Sequence, residues 1–245
     1  MKIFGLIGKS LAHSFSQSFF EEKFVKEGLS DCQYRLFEIP TIEKLPELIA
    51  SESDLCGFNV TIPFKKSVMD YLDELSTEAA EIGAVNVVRV ERIGKQIVLK
   101  GYNTDSEGFA ESLAGVQVPS PAMVIGAGGA VAAVMYALRR MHVPYVQVSR
   151  QGGAGQLLLS QVSAKDIEEH LFIINCTPVG TLGNADQRLE LPYEALTSQH
   201  FLYDLVYNPG VTPFLQEGLR RGAHVQNGLK MLHLQAEAAW RIWKR

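Results

Sequence analysis

The sequence predicts an α/β protein made of two domains, each built on a mostly parallel sheet. Three observations predict it. Strand-like and helix-like segments alternate along the chain, as parallel strands joined by crossover helices require. A short apolar run, Met123-Val124-Ile125, enters a glycine-rich turn and then a helix-like stretch. Four short polar segments each stand where a predicted strand ends, the place where open α/β sheets hold ligands.

Taken in order, Ile3 to Ile7 reads as a short buried strand. A helix follows near Gln17 to Glu27, with Ser16 as its cap, Phe20 and Phe24 one turn apart, and Gly28 as its stop. Tyr34 to Ile39 is the next strand, Pro40-Thr41 opens a helix to about Ala50, and Gly57 to Thr61 is the third strand. Ile62-Pro63 is expected to start a helix, because proline is tolerated in a first turn. Ala84 to Val90 and Gln96 to Lys100 read as strands joined by a turn at Arg92-Ile93-Gly94-Lys95.

The second unit opens with a helix from Ser106 to Leu113, then a connector, Gln117-Val118-Pro119-Ser120-Pro121. Ala122 to Ile125 is a strand, Gly126-Ala127-Gly128-Gly129 a turn, and Ala130 to Met141 a helix. Further strands are expected at Tyr145 to Val148, Leu171 to Asn175 and Phe201 to Leu205. The last helix, Gly228 to Trp243, carries Leu229, Leu232, Ala236, Trp240 and Trp243 at spacings of three and four, hence on one face. The predicted boundary near residue 105 gives one domain over 1–105 with 228–245, and another over 106–227.

Bulk properties exclude several classes. The 245 residues are 47% hydrophobic and 20% charged, an ordinary globular balance without a disordered tract. A net charge of −4 speaks against a phosphate-backbone surface, so nucleic acid is not expected as a partner. Cys32, Cys56 and Cys176 are far apart in sequence and read as buried thiols of a reducing compartment. The six histidines form no metal-ligand spacing, so no metal is expected. His13 reads as a loop residue. The start Met1-Lys2-Ile3-Phe4-Gly5-Leu6-Ile7-Gly8 reads as too short for a signal peptide, no apolar run reaches membrane length, and the expected setting is cytoplasmic.

The glycine turn carries the first chemistry. Gly126 permits the tight turn, and Gly128 lets the backbone approach a pyrophosphate. The following helix start at Ala130 offers that anion unpaired N–H groups and the positive end of its dipole. Val131 stands where the general fingerprint wants its third glycine. About twenty residues on, where an Asp or Glu would meet the ribose hydroxyls of NAD, the chain has Val148-Ser149-Arg150-Gln151. A guanidinium and no carboxylate favours a 2′-phosphate, hence NADP over NAD.

The four polar segments are His13-Ser14-Phe15-Ser16, Asn59-Val60-Thr61-Ile62-Pro63-Phe64-Lys65, Gly83-Ala84-Val85-Asn86 and Gly101-Tyr102-Asn103-Thr104-Asp105. Together they supply hydroxyls, amides, one amine and one carboxylate. That inventory suits a small polyhydroxylated acid.

With Gly126-Ala127-Gly128-Gly129-Ala130, Asn175-Cys176-Thr177-Pro178, Tyr207-Asn208-Pro209-Gly210-Val211-Thr212-Pro213-Phe214-Leu215 and Asn227-Gly228-Leu229-Lys230-Met231-Leu232, these segments resemble the shikimate dehydrogenase family in one order, from residue 5 to about 240. The resemblance implies an amino-terminal substrate domain, a Rossmann-type NADP domain and a crevice between them. It implies reversible NADPH-dependent reduction of 3-dehydroshikimate to shikimate, with Lys65 and Asp105 as the catalytic pair. Ser14 and Ser16, helped by Tyr207, would hold the substrate carboxylate. Asn59, Thr61, Asn86 and Gln235 would complete the substrate site. The cofactor would meet Gly126, Ala127, Gly128, Gly129, Ala130, Ser149, Arg150, Thr177, Leu205 and Gly228. The chain departs from the family's pattern at Ser149, Gln151 and Thr77.

The chemistry asks for such a pair. Oxidising a secondary alcohol sends a hydride to the nicotinamide and leaves a proton that a side chain must accept. Lysine acts as a base only with a lowered pKa, and a place in the first turn of a helix after Pro63 would favour that. Asp105 would oppose the shift while orienting the amine. At 100° per residue Gln235 lies roughly 40° beyond the edge of the apolar stripe of the last helix, free to face a ligand.

Rival readings are a quinate-type or aminated-analogue dehydrogenase, which NAD use would favour, a methylene-tetrahydrofolate dehydrogenase, which the paired serines and Asn103-Thr104-Asp105 fit poorly, and a ligand sensor without catalysis, which retention of both Lys65 and Asp105 opposes. Monomer and homodimer are both compatible with the sequence.

Overall fold

The computed structural model describes residues 1–11, 14–153 and 155–245, so His13 lies outside the described residues. The chain divides into two compact units, residues 1–104 with 236–245, and residues 105–235.

The first unit holds strands β1 (Lys2–Gly8), β2 (Cys32–Glu38), β3 (Leu55–Val60), β4 (Glu74–Leu75), β5 (Val87–Ile93) and β6 (Gln96–Tyr102). Among the described residues they form one sheet in the order β2-β1-β3-β5-β6-β4. The first three are parallel, and β5 pairs antiparallel with both β3 and β6. The β5–β6 turn closes between Ile93 and Gln96, where Gly94 supplies a left-handed φ of 63°. Side chains of β1 alternate between two cores. Ile3 and Ile7 join Phe58, Val88 and Leu45 on one face, while Phe4 and Leu6 join Phe20, Tyr34, Trp240 and Trp243 on the other.

Helix α1 (Phe15–Lys26) covers that second face with Phe20 and Phe24, and Phe20 stacks on Tyr34 at 4.6 Å between ring centres. Its cap is Ser14, not Ser16. The Ser14 hydroxyl accepts from the Ser16 N–H at 3.2 Å, because Ser14 holds the extended backbone a cap needs while Ser16 is already helical. Helices α2 (Leu45–Ser51) and α3 (Thr77–Ile82) complete the connections.

The second unit holds β7 (Ala122–Ile125), β8 (Tyr145–Ser149), β9 (Gln156–Leu158), β10 (Phe172–Asn175), β11 (Phe201–Asp204) and β12 (His224–Asn227). The described strands form a parallel sheet in the order β12-β11-β10-β7-β8-β9. Ala122 and Val124 enter one core with Phe109, Phe172 and Tyr203, and Met123 and Ile125 enter the other with Val148, Ile173 and Leu202. The helices of this unit are α4 (Asp105–Ser112), α5 (Gly129–Arg140), α6 (Ala164–Glu169) and α7 (Pro213–Arg220).

The last helix, α8 (Leu229–Trp243), begins in the second unit and ends in the first. Its expected apolar face is corrected at the start: Leu229 is exposed, and Met231 packs into the second unit's core instead. Ala236, Trp240 and Trp243 are buried as expected. In the first unit the Trp243 indole donates to Val88 O at 3.0 Å, and it leaves no room for a side chain at Gly57.

Two further expectations change. Residues 62–66 are successive turns followed by a 3-10 helix, Ser67–Tyr71, rather than an α-helix from Pro63. The residue before a proline is steered away from the α region, so Ile62 leads out of the strand without entering a helix. The three cysteines are free but only half-buried, Cys32 and Cys56 lying at or near the starts of β2 and β3. Among the described residues no helix is long and apolar enough to cross a membrane.

Candidate active site

In the first unit the expected substrate residues gather where β1, β3 and β6 end. Ser14 and Ser16 lie at the start of α1, and Thr61 directly follows β3, its N–H donating to Ile7 O at 3.0 Å. Asn59 is buried. Its Oδ1 accepts from the Tyr34 hydroxyl at 2.8 Å, and its Nδ2 donates to Asn86 O at 3.3 Å. Asn86, also buried, accepts the Thr104 N–H at 2.7 Å and donates to the Thr104 hydroxyl at 3.0 Å. Asn103 Nδ2 donates to Ala84 O at 2.9 Å. Four segments distant in sequence are thereby locked into one hydrogen-bonded platform.

Tyr34 is not among the residues the sequence points to as binding groups, and Thr104 enters there only as a member of its polar segment. Burial drives the Tyr34 hydroxyl well above its ordinary pKa, with the Ser16 hydroxyl opposing. It remains a neutral donor that joins Ser16 to Asn59. Its signal in the sequence is an aromatic hydroxyl inside an expected strand, since a phenol buried there must find a partner.

Lys65 is half-buried in the turn after Pro63, and its carbonyl accepts the Val85 N–H at 2.7 Å, one residue from Asn86. Lys65 therefore stands in a turn and not in the first turn of an α-helix, where the sequence leads one to expect it. Asp105 is buried at the first position of α4, immediately after the anchored Thr104. In the second unit Gln235 packs against Gly108, whose missing side chain makes room for it, and its Nε2 donates to Leu232 O at 2.9 Å. Tyr207, in the loop after β11, is half-buried, and burial raises its hydroxyl pKa.

The expected cofactor residues lie along the carboxyl ends of the second sheet. β7 has β8 on one side and β10 on the other, so strand order reverses beside the glycine turn. Gly126 has φ 134° and Gly128 φ 101°, values open to glycine alone. Val131, in place of a third glycine, is buried and lies 3.2 Å from where a Gly126 side chain would begin. Gly128 caps α5 with no side-chain hydrogen bond, and no acidic residue occupies the first turn. The first N–H groups of this twelve-residue helix therefore stand ready for an anion, which fits a dinucleotide pyrophosphate.

Cys176 backbone lies 3.3 Å from that same Gly126 position, which brings Thr177 beside the turn. Thr177 is held by Asn175 Oδ1, which accepts its hydroxyl at 2.7 Å and its N–H at 2.9 Å. Leu205 N–H donates to Asn175 O at 2.9 Å, and Gly228 N–H to Val206 O at 3.2 Å. Behind these loops sits Asp204, fully buried and missed in the sequence. It accepts from Asn175 Nδ2 at 2.9 Å, Val206 N–H at 3.0 Å and the Thr212 hydroxyl at 2.6 Å. Burial outweighs these donors and raises its carboxyl to about 6. Ser149 is buried at the end of β8 and Arg150 is exposed just beyond it.

A parallel sheet with a glycine turn at its order reversal, a bare helix start and a guanidinium past the second strand define a nucleotide-dependent oxidoreductase of the dinucleotide-binding class. Residues 6–88 match the shikimate dehydrogenase substrate binding domain. The chain is 36% identical over 263 residues to the NADP(+) shikimate dehydrogenase of Caldicellulosiruptor saccharolyticus, covering 99% of this chain and 92% of that protein. It is 36% identical over 270 residues to the enzyme of the same name from Chlorobaculum tepidum, covering 99% and 90%. The solved shikimate 5-dehydrogenase of Thermus thermophilus, in complex with NADP(H) and shikimate, superposes with a TM-score of 0.86 at 32% identity, over 99% of this chain and 93% of that one. The chain belongs to the shikimate dehydrogenase family.

Proposed function

We propose that this protein catalyses the reversible NADPH-dependent reduction of 3-dehydroshikimate to shikimate, with Lys65 and Asp105 as the pair that handles the proton. The observation that carries the reading is the conjunction, in one chain, of the Asn59–Asn86–Thr104 platform ending at Asp105 and the bare glycine-capped start of α5.

The first unit supplies most of the substrate groups, and Asp105, Tyr207 and Gln235 belong to the second. Ser14 and Ser16 offer hydroxyls to the carboxylate, with Tyr207 as a third. Thr61, Asn59, Asn86 and Gln235 exchange hydrogen bonds with ring hydroxyls, each amide presenting both donor and acceptor. Lys65 takes the proton from the substrate hydroxyl in oxidation and returns it in reduction. Asp105 orients the amine and shares the same hydroxyl.

The second unit holds the cofactor. Gly126 to Ala130 receive the pyrophosphate, Arg150 the 2′-phosphate, and Thr177, Leu205 and Gly228 line the approach of the nicotinamide half, with Ser149 at the adenosine end. NADPH, when bound, supplies the hydride.

Following reduced-nicotinamide absorbance with shikimate or quinate, and with NADP or NAD, tests the reading. Turnover with shikimate and NADP is expected. Lys65→Ala should lower kcat by about 10²–10⁴-fold with the fold intact. Near-full activity in that variant removes lysine from the mechanism, and preference for quinate with NAD replaces the substrate assignment.

A further inference from the structure

Between the glycine turn and the loop that carries Arg150 runs an unbroken chain of side-chain hydrogen bonds. Gln147 Nε2 donates to Gly126 O at 3.0 Å. Gln156 Nε2 donates to Gln147 Oε1 at 3.0 Å, and the Ser149 hydroxyl donates to Gln156 Oε1 at 3.0 Å. The Gly152 N–H then donates to Ser149 Oγ at 3.0 Å. The register makes the chain possible: Gln147 and Gln156 are direct partners across the parallel β8–β9 pair, so their side chains leave the same face.

The two ends of this chain matter. Gly126 O belongs to the turn that shapes the anion site. At the other end the Ser149–Gly152 bond closes a turn around Arg150 and Gln151. Gly152 holds φ 69° there, a left-handed conformation that suits glycine, and Leu158 Cδ2 lies 2.9 Å from where a side chain would begin. Ser149 has one hydroxyl proton and spends it on Gln156. To donate to a phosphate it would have to give up that bond.

We propose that Gln147, Gln156 and Ser149 are positioning residues that set Arg150 relative to the glycine turn, and so determine selectivity for the 2′-phosphorylated cofactor. Ser149 acts through the loop it closes rather than as a phosphate donor. The inference rests on the reading that Arg150 and the glycine turn hold NADP. A charge-paired guanidinium discriminates only when its fork is aimed, because a mobile arginine loses side-chain entropy on binding and weakens the pair.

The test is a double-mutant cycle in steady-state kinetics, with Gln156→Met, Arg150→Ala and the pair, each checked for folding by circular dichroism. Gln156→Met keeps the side chain's length and breaks both of its bonds. It should raise KM for NADPH about five- to tenfold while kcat, KM for dehydroshikimate and KM for NADH stay within about twofold. In the Arg150→Ala background the same substitution should change KM for NADPH less than about twofold, since there is no guanidinium left to aim.

Equal factors in both backgrounds overturn the inference, because a merely structural residue acts independently of Arg150. So does an unchanged NADPH KM in Gln156→Met. If Arg150→Ala itself leaves NADPH binding intact, the cofactor reading fails and the relay fails with it. Should Gln156→Met not fold, Gln147→Met breaks the same chain next to Gly126 and carries the same expectations.

Discussion

The buried Tyr34 hydroxyl donates to Asn59 Oδ1 at 2.8 Å, tying the edge strand β2 to a member of the proposed substrate platform. Removing that hydroxyl strands a buried acceptor, at a cost of about 1–3 kcal/mol. Asn59 then rotates or captures water, and its Nδ2 no longer holds Asn86 O in place. Tyr34→Phe is expected to raise KM for shikimate about three- to tenfold and to leave KM for NADP unchanged. Steady-state kinetics with each substrate varied in turn checks it. A change confined to the cofactor's KM removes Tyr34 from the substrate site.

Arg150 is the exposed cation that follows β8. Losing it should cost NADP its phosphate partner while leaving the shared pyrophosphate and nicotinamide contacts untouched. Arg150→Ala should raise KM for NADP about tenfold or more and barely alter use of NAD. Parallel titrations with both cofactors decide it, and an equal loss for the two would mean that Arg150 serves something other than the 2′-phosphate.

Legibility in the sequence followed the range of the interactions. The glycine turn could be read because a positive φ at Gly126 and Gly128 leaves its mark on those residues alone. The alternation of short apolar runs and helices gave the two sheets for the same reason. Lys65 shows the opposite case: Pro63 signals a helix start as readily as a turn, and it is the tertiary tie from Val85 N–H to Lys65 O that shapes this segment. Tyr34 and Asn59 are 25 positions apart, and Asn175 and Asp204 are 29 apart. No local pattern links either pair. The available signal was that a polar side chain inside an apolar strand, such as Asp204 in Phe201-Leu202-Tyr203-Asp204-Leu205, has to be paired somewhere.

That buried Asp204 predicts a pH effect with a definite sign. Its carboxyl rises from 3.8 to about 6 on folding, mainly through desolvation. Between about pH 4 and pH 6 the folded chain therefore holds a proton that the unfolded chain has lost. Stability from this group is fully present below pH 4, falls as pH rises through 6, and is level above. The nearby Cys176 and Tyr193 are both pushed upward and stay protonated across this window. Subtracting Asp204→Asn from wild type cancels the other carboxylates. The wild-type advantage should be about 1–3 kcal/mol larger at pH 4.5 than at pH 7.5. Urea unfolding at both pH values measures it, and an advantage that grows with pH contradicts the raised carboxyl.

Gly228 and Gly210 provide a matched pair in the loops at this sheet's carboxyl edge. A side chain on Gly228 would collide with Leu205 O, with Leu205 C 2.7 Å away, and backbone cannot yield as a flexible side chain can. At Gly210 the nearest atom is Asn227 Nδ2, at an ordinary 3.9 Å. Neither position needs a left-handed φ, so the comparison isolates space. Gly228→Ala must push Leu205 out of line, strain the Leu205 N–H bond to Asn175 O, and disturb Thr177 through that shared asparagine. It should cost about 1–3 kcal/mol of stability and raise KM for NADP several-fold, about three- to tenfold. Gly210→Ala should be close to neutral in both measurements. Thermal unfolding and cofactor titration of the two variants side by side decide the matter: if Gly228→Ala binds NADP as wild type does, the Leu205–Gly228 contact plays no part in holding the cofactor.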